Sequence, residues 1–264
     1  MRVALLKADY VNADLIGAHG DLPDMFRRFL GGDVAIDVYE VRFGALPDPR
    51  RYDACLITGS RHSVDDDCDW IRALLAFLRK AADSGARLIG FCFGHQALAK
   101  ALGGRVGKGP SGWNVGLWPV AIQEHPAWMR EAAGAGAGEA AGDRPGSVRP
   151  EIFSLFNHRE QVLALPSEAR IIASTERCPV QAFVLDDQTR QVLGIQFHPE
   201  YTLSYQEAIM AVPKTMPRTV FDDAIQRNRT LTRTDGIVRE WVLRFAGAPR
   251  VREIPSAVPM RGSR

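Results

Sequence analysis

The sequence predicts a three-layer α/β fold: a mostly parallel, mixed sheet with helices on both faces. Two patterns predict it. From Arg2 to Leu102 short apolar runs of strand length alternate with helical ones, the signature of a parallel sheet covered on both sides. Beyond Gly116 strand-length runs follow one another with too little chain between them for helices, so this half includes antiparallel pairs. The 264 residues suffice for one large α/β domain with a full core, or a domain plus extensions.

In chain order, Arg2 to Lys7 is the first strand and Asp21 to Leu30 a helix. Val34 to Tyr39 is the second strand, and Ala54 to Thr58 the third, ending in Gly59-Ser60. Asp69 to Ala82 is an amphipathic helix with Trp70, Leu74, Phe77 and Leu78 on one face. Asp65-Asp66-Asp67 before it reads as a solvated, helix-capping acidic run. Ala86 to Gly90 is a buried strand, and Ala97 to Leu102 a helix closed by Gly103-Gly104. Gly116–Ile122, Ile152–Phe156, Ile171–Ser174, Val180–Leu185 and Val192–Phe197 read as further strands. Residues 132–146, rich in Ala and Gly with no aromatic, read as a flexible insertion, with a short Ala-rich helix as the alternative. Leu203 to Val212 is helical, and Phe221 to Phe245 holds a longer amphipathic helix carrying Ile225, Val238, Trp241, Val242 and Phe245. The expected organisation is a domain over 1–212, a helical extension over 213–247 packed on it, and a mobile Pro/Arg-rich tail over 248–264.

The chemistry concentrates in Gly90-Phe91-Cys92-Phe93-Gly94-His95-Gln96, one cysteine between two glycines where a strand meets a helix. Such an elbow puts the central residue in a strained turn and exposes its side chain at the sheet's edge. The flanking glycines avoid a Cβ that would collide with neighbouring backbone. A helix N-terminus aimed at the sulfur favours thiolate, the nucleophilic form. The plain alternative is a small buried cysteine in a βα turn. A base has to decide, and one stands at the end of the apolar strand Val192 to Phe197: His198-Pro199-Glu200. There the imidazole shares the sheet edge where α/β proteins place their sites, and Glu200 can reach back to fix its tautomer. Alone, His-Pro-Glu reads as a surface turn; with the elbow it reads as a Cys–His–Glu triad.

Together, Gly90 to Gln96 and Gly194 to Glu200 resemble the class I glutamine amidotransferase family, and within it the stand-alone members similar to the amidotransferase domain of GMP synthase. The likeness runs from Arg2 to Glu200. It implies a flavodoxin-like amidotransferase fold and a triad of Cys92, His198 and Glu200 that releases ammonia from the γ-carboxamide of glutamine through a γ-glutamyl thioester. The oxyanion hole is expected from the Phe93 amide and from the loop Gly59-Ser60-Arg61, where Arg61 departs from the family's common glycine-proline turn. By resemblance, Gln96 contacts the amino-acid end of the substrate, and Gly112-Trp113-Asn114-Val115-Gly116 meets it through backbone groups. A buried helix residue at Gln96 and a packing residue at Trp113 remain the plain alternatives. His158, in Asn157-His158-Arg159-Glu160, is either near the site or in a surface turn. His95 is a poor base because the helix start points it away from Cys92.

The remaining sequence narrows the class. The charge is nearly balanced, 33 Lys and Arg against 31 Asp and Glu, which gives no argument for nucleic acid or an acidic membrane. The four cysteines form no C-x-x-C pair and no Cys/His cluster, so neither a metal site nor a disulfide framework is expected, and no cofactor. With no leader-like segment and no run of about twenty apolar residues, a cytoplasmic protein is expected. No P-loop is present to house an ATP-using synthetase. Three readings stay open: an amidotransferase serving a separate synthetase subunit, a γ-glutamyl peptide hydrolase with no ammonia acceptor, or a non-catalytic regulatory subunit. A thiol elbow of the DJ-1/PfpI type is a further rival, but it would not require a strand-terminal His-Pro-Glu.

Overall fold

Alternation along β1 (Arg2–Lys7) sets the layers. Ala4 and Leu6 enter one core and Val3 and Leu5 another, because successive side chains point to opposite faces of a sheet. The computed structural model describes residues 1–130, 151–212 and 216–247. The insertion expected at 132–146 and the tail at 248–264 lie outside the described residues.

Next in the chain are α1 (Ala13–His19), α2 (Leu22–Leu30), β2 (Ala35–Glu40) and β3 (Ala54–Ile57). They are followed by α3 (Asp69–Asp83), β4 (Arg87–Phe91), α4 (Phe93–Ala101), β5 (Arg105–Lys108) and β6 (Asn114–Ile122). The second half adds β7 (Glu151–His158), β8 (Glu160–Ala164), β9 (Arg170–Ser174), β10 (Ala182–Asp186) and β11 (Gln191–Ile195). Three helices close the described chain: α5 (Leu203–Met210), α6 (Arg218–Thr230) and α7 (Ile237–Gly247). The main sheet has nine strands in the order β2-β1-β3-β4-β11-β10-β9-β6-β7. The first five are mutually parallel and the last four join in antiparallel fashion, giving the expected mixed sheet.

On one face α3 and α4 bury Ile71, Leu74, Leu78, Phe93 and Ala97 against Ile57 and Leu88. On the other, α2 and α7 bury Phe26, Leu30, Trp241 and Phe245 against Leu56, Ile89 and Leu193. Each of the Leu, Ile and Phe side chains contributes roughly 1.5–3 kcal/mol of transfer free energy. Among the described residues no helix is long and apolar enough to cross a membrane.

Several elements differ from expectation. Helix α1 buries no residue, so it carries no apolar stripe for periodicity to detect. The elbow helix begins at Phe93 rather than Ala97, because Gly94 disguises its first turn as a loop. Strands β5 and β8 form a separate two-stranded sheet, too short and too polar to stand out. The cap of α3 is Cys68, while the acidic run before it pairs sideways, Asp65 with Lys100 and Asp67 with Arg72. The single long helix expected across 221–245 is two, α6 and α7, broken over Leu231 to Gly236 by threonines, Asp235 and Gly236, residues that favour caps and turns.

Candidate active site

The parallel pairing of β4 with β11 builds the site. It aligns Gly90 with Gly194 and Phe91 with Ile195, so Cys92 and His198 both emerge beyond the carboxyl ends of adjacent strands. The Cys92 amide donates to the Ile195 carbonyl at 2.8 Å, carrying the register one residue past β4. Cys92 then turns with φ 50° and ψ −103°, a positive φ that an L-residue adopts only at a cost of about 1–3 kcal/mol. It is the N-cap residue of α4, its carbonyl accepting from the Gln96 amide at 3.0 Å. The elbow's glycines are required by close approach. A Cβ on Gly90 would lie 2.3 Å from the Gly94 carbonyl, and one on Gly94 would lie 2.5 Å from the Ile57 carbonyl oxygen.

His198 follows β11 and is buried. Its amide donates to the Leu155 carbonyl at 2.8 Å, which docks the turn on β7. Its Nδ1 is 2.8 Å from Oε1 of Glu200. A carboxylate can only accept, so this contact puts a proton on Nδ1 and turns Nε2 toward the cysteine side. Nε2 makes no hydrogen bond of regular geometry, yet Cys92 acts on the ring electrostatically. Burial alone would lower the imidazole's pKa. The electrostatic interactions with Glu200 and Cys92 outweigh it and push the value up to about 10. Tyr201 lies flat on the ring, with centroids 3.9 Å apart and planes at 8°, and its own hydroxyl is pushed well upward by burial. Gly59 completes the enclosure. A Cβ there would stand 3.1 Å from His198 Cε1, 3.6 Å from Cys92 Cβ and 3.8 Å from the Tyr201 hydroxyl.

The loop after β3 is zipped to the end of β1. The Ala8 amide donates to Thr58 Oγ1 at 3.0 Å, and Ser60 Oγ donates to the Ala8 carbonyl at 3.2 Å. The Arg61 amide donates to Asp9 at 2.8 Å, and its guanidinium binds both oxygens of the same carboxylate. Asp9 is held below the usual carboxylate range, the Arg61 bonds outweighing a burial effect that acts upward. The Arg61 amide is thus committed. No described residue accepts from the amides of Gly59, Ser60 or Phe93.

The three expected substrate contacts lie differently. Gln96 is buried, its Nε2 bonded to the Glu160 carbonyl at 2.8 Å and to Gln196 Oε1 at 3.1 Å. Asn114 is buried too; its Oδ1 accepts from Arg177 at 2.9 Å and its Nδ2 donates to the Gly112 carbonyl. Trp113 is half-buried with Arg159 over its ring. No hydrogen bond or ring contact among the described residues joins Trp113 or Asn114 to Cys92, His198 or Glu200. His158 is buried, not a surface turn, and its Nδ1 meets the Glu160 carbonyl at 3.0 Å. Burial lowers both His158 and His95 to about 3, so both rings are neutral. Sequence reasoning missed Tyr201, Asp9 and Thr58. Asp9 and Thr58 had a readable signal, a polar residue at the carboxyl end of a parallel strand.

A strained cysteine at a strand–helix elbow, beside a histidine held by a carboxylate, is an arrangement that can support nucleophilic chemistry. The family model for class I glutamine amidotransferases matches residues 33–212, and the chain belongs to that family. It is 31% identical over 168 residues to gamma-glutamyl peptidase 3 of Arabidopsis thaliana, a match covering 62% of each protein. It is 29% identical over 156 residues to the glutamine-hydrolysing GMP synthase component of Sulfolobus acidocaldarius, covering 59% of this chain and 71% of that one. The chain therefore spans less than two thirds of the peptidase's length. Among solved structures, a glutamine amidotransferase from Methylobacillus flagellatus superposes with a TM-score of 0.62 at 25% identity, over 93% of this chain and 90% of that one. One from Thermotoga maritima gives 0.64 at 18%, over 94% and 99%. The protein is a class I glutamine amidotransferase-like protein of mixed α/β fold.

Proposed function

We propose that the chain hydrolyses γ-glutamyl amides through Cys92, His198 and Glu200. The observation that carries the reading is the 2.8 Å contact of His198 Nδ1 with Glu200, which leaves Nε2 free of Glu200 in a ring that, with Cys92, closes around Gly59. The Cys92 thiolate attacks the γ-carbonyl carbon. The resulting oxyanion is held by the amide of Phe93 and those of the Gly59–Ser60 loop, which have no acceptor among the described residues. As the C–N bond breaks, His198 gives its Nε2 proton to the departing amine, leaving a γ-glutamyl thioester. His198, now neutral, takes a proton from water, whose oxygen attacks the thioester. Glutamate leaves, and the thiolate–imidazolium pair is restored.

The γ-glutamyl peptidase names of several relatives favour a peptide as the leaving amine. The likeness to glutamine-hydrolysing GMP synthase components supports a second reading, in which glutamine is the substrate and ammonia passes to a separate synthetase subunit. Both readings use the same steps and suit a cytoplasmic protein. Purified protein incubated with glutamine and with a panel of γ-glutamyl peptides separates them by the glutamate, ammonia and amine released. Cys92→Ala is expected to abolish release from every compound while circular dichroism is unchanged. Turnover persisting in that variant refutes the mechanism.

A further inference from the structure

The turn that carries His198 and Glu200 is fastened by a residue outside the region the family model matches. Between α6 and α7 the chain crosses to the free edge of β7, where the Thr234 amide donates to the Phe153 carbonyl at 3.1 Å and Thr234 Oγ1 accepts from the Phe153 amide at 2.9 Å. Leu155, two residues on, offers its carbonyl on the same edge to the His198 amide. The crossing segment and the candidate catalytic turn thus lie side by side on β7. Arg233 spans the gap: its guanidinium donates to the carbonyls of Pro199, at 2.5 Å, and Tyr201. These carbonyls flank Glu200. The remaining guanidinium nitrogen, Nε, donates to Asp235 at 2.5 Å, and Asp235 is buried and accepts from Ser154 Oγ at 2.5 Å. The circuit therefore closes from β7 through the turn to Arg233, Asp235 and back to β7.

We infer that Arg233 is a positioning residue for the His198–Glu200 pair. Held at two carbonyls by one planar fork, the turn cannot rotate the Glu200 side chain away from His198. A guanidinium suits this task because its donors have fixed relative directions, which an ammonium lacks. The crossing segment has a further reason to be there, since it covers backbone groups that an open sheet edge would leave unpaired. The inference rests on the hydrolase reading above.

The test compares wild type with Arg233→Ala and Arg233→Lys. Steady-state hydrolysis of the best γ-glutamyl substrate is measured, and so is the rate of Cys92 alkylation by iodoacetamide at pH 6 and pH 9, read on the Cys92 peptide by mass spectrometry. A displacement of the pair on the order of 1 Å costs about a hundredfold in rate. Arg233→Ala is therefore expected to lose roughly ten- to a hundredfold in kcat with KM within about threefold. Its ratio of alkylation rates, pH 6 over pH 9, should fall at least about fivefold, because the thiolate loses its imidazolium partner. Arg233→Lys keeps the charge without the fork and should recover only part of both. If Arg233→Ala does not fold, the lysine variant carries the test. Wild-type kcat and alkylation ratio in a folded variant overturn the inference alone. Wild-type protein that neither cleaves any γ-glutamyl compound nor alkylates at pH 6 faster than a free thiol overturns the hydrolase reading, and this inference with it.

Discussion

Replacing Gly59 with alanine adds one methyl group at the most crowded point of the site. The position has an ordinary backbone conformation, since Gly59 is not among the positive-φ glycines, so alanine introduces no backbone strain. Only the methyl matters. It would sit 3.1 Å from His198 Cε1, whereas carbon atoms prefer about 3.5–4.0 Å. The ring must therefore move by roughly half an ångström or the loop must retreat by as much. Neither is free. The ring is held by Glu200 at 2.8 Å and by the Tyr201 stack at 3.9 Å, and the loop by Thr58, Ser60 and Asp9. A shift of that size in a reacting pair costs about ten- to a hundredfold in kcat/KM, while overpacking costs about 1–3 kcal/mol, a fall in Tm of roughly 2–10 °C. The assay is glutamate release alongside thermal denaturation, with Gly17→Ala as the control, since a Cβ there meets nothing within 4 Å. If Gly59→Ala keeps kcat/KM within about threefold of wild type at an unchanged Tm, the enclosure drawn around Cys92 and His198 is wrong.

The raised pKa of His198 gives a prediction with a definite sign. A group whose folded value exceeds its unfolded one adds stability that is full below about 6.5 and is lost as the pH rises through about 10. Glu200→Gln removes much of the cause. Denaturation from pH 6 to 11 should show it less stable than wild type by about 2 kcal/mol near neutrality, with the gap closing above pH 10. The alkaline limb of kcat/KM should also move to lower pH. Parallel stability curves across that range, or an unmoved limb, count against the pair. At the elbow, Gly90→Ala should yield insoluble or unfolded protein, because a Cβ 2.3 Å from backbone carbonyl atoms has no flexible neighbour to displace. A soluble Gly90→Ala variant with wild-type circular dichroism would show that the elbow is less tightly packed than described.

The parallel half of the sheet was legible because each of its strands is an apolar run bounded by a turn, and β1 and α2 lie within a residue of expectation. The antiparallel half was legible as strands but not as an order, since nothing local in β6 states that it lies between β9 and β7. Cys92, His198 and Glu200 stood out because each sits where a strand ends, and strand ends can be read locally. The surroundings of the site could not be read this way. Tyr201 looks like any aromatic until its ring is found on His198. Arg233 reaches across more than thirty residues to the turn, with no pattern to announce it. Gln96 shows the opposite case. Its position directly after the elbow was clear, but its hydrogen bonds run to Glu160 and Gln196, neither of which is near it in sequence.

The alignment of β4 with β11 also governs how the molecule is made. Gln96 and Gln196, hydrogen-bonded across this seam, are 100 positions apart, and the chain between them forms the small sheet and all four antiparallel strands. Closing so long a loop is entropically costly and slow, and its reward comes only when the seam forms. During synthesis Cys92 leaves the ribosome about a hundred residues before His198, its proposed base, so the young chain carries the cysteine elbow before the rest of the proposed site exists. Refolding monitored by tryptophan fluorescence should run ahead of recovered activity, with the lag set by the docking of β11.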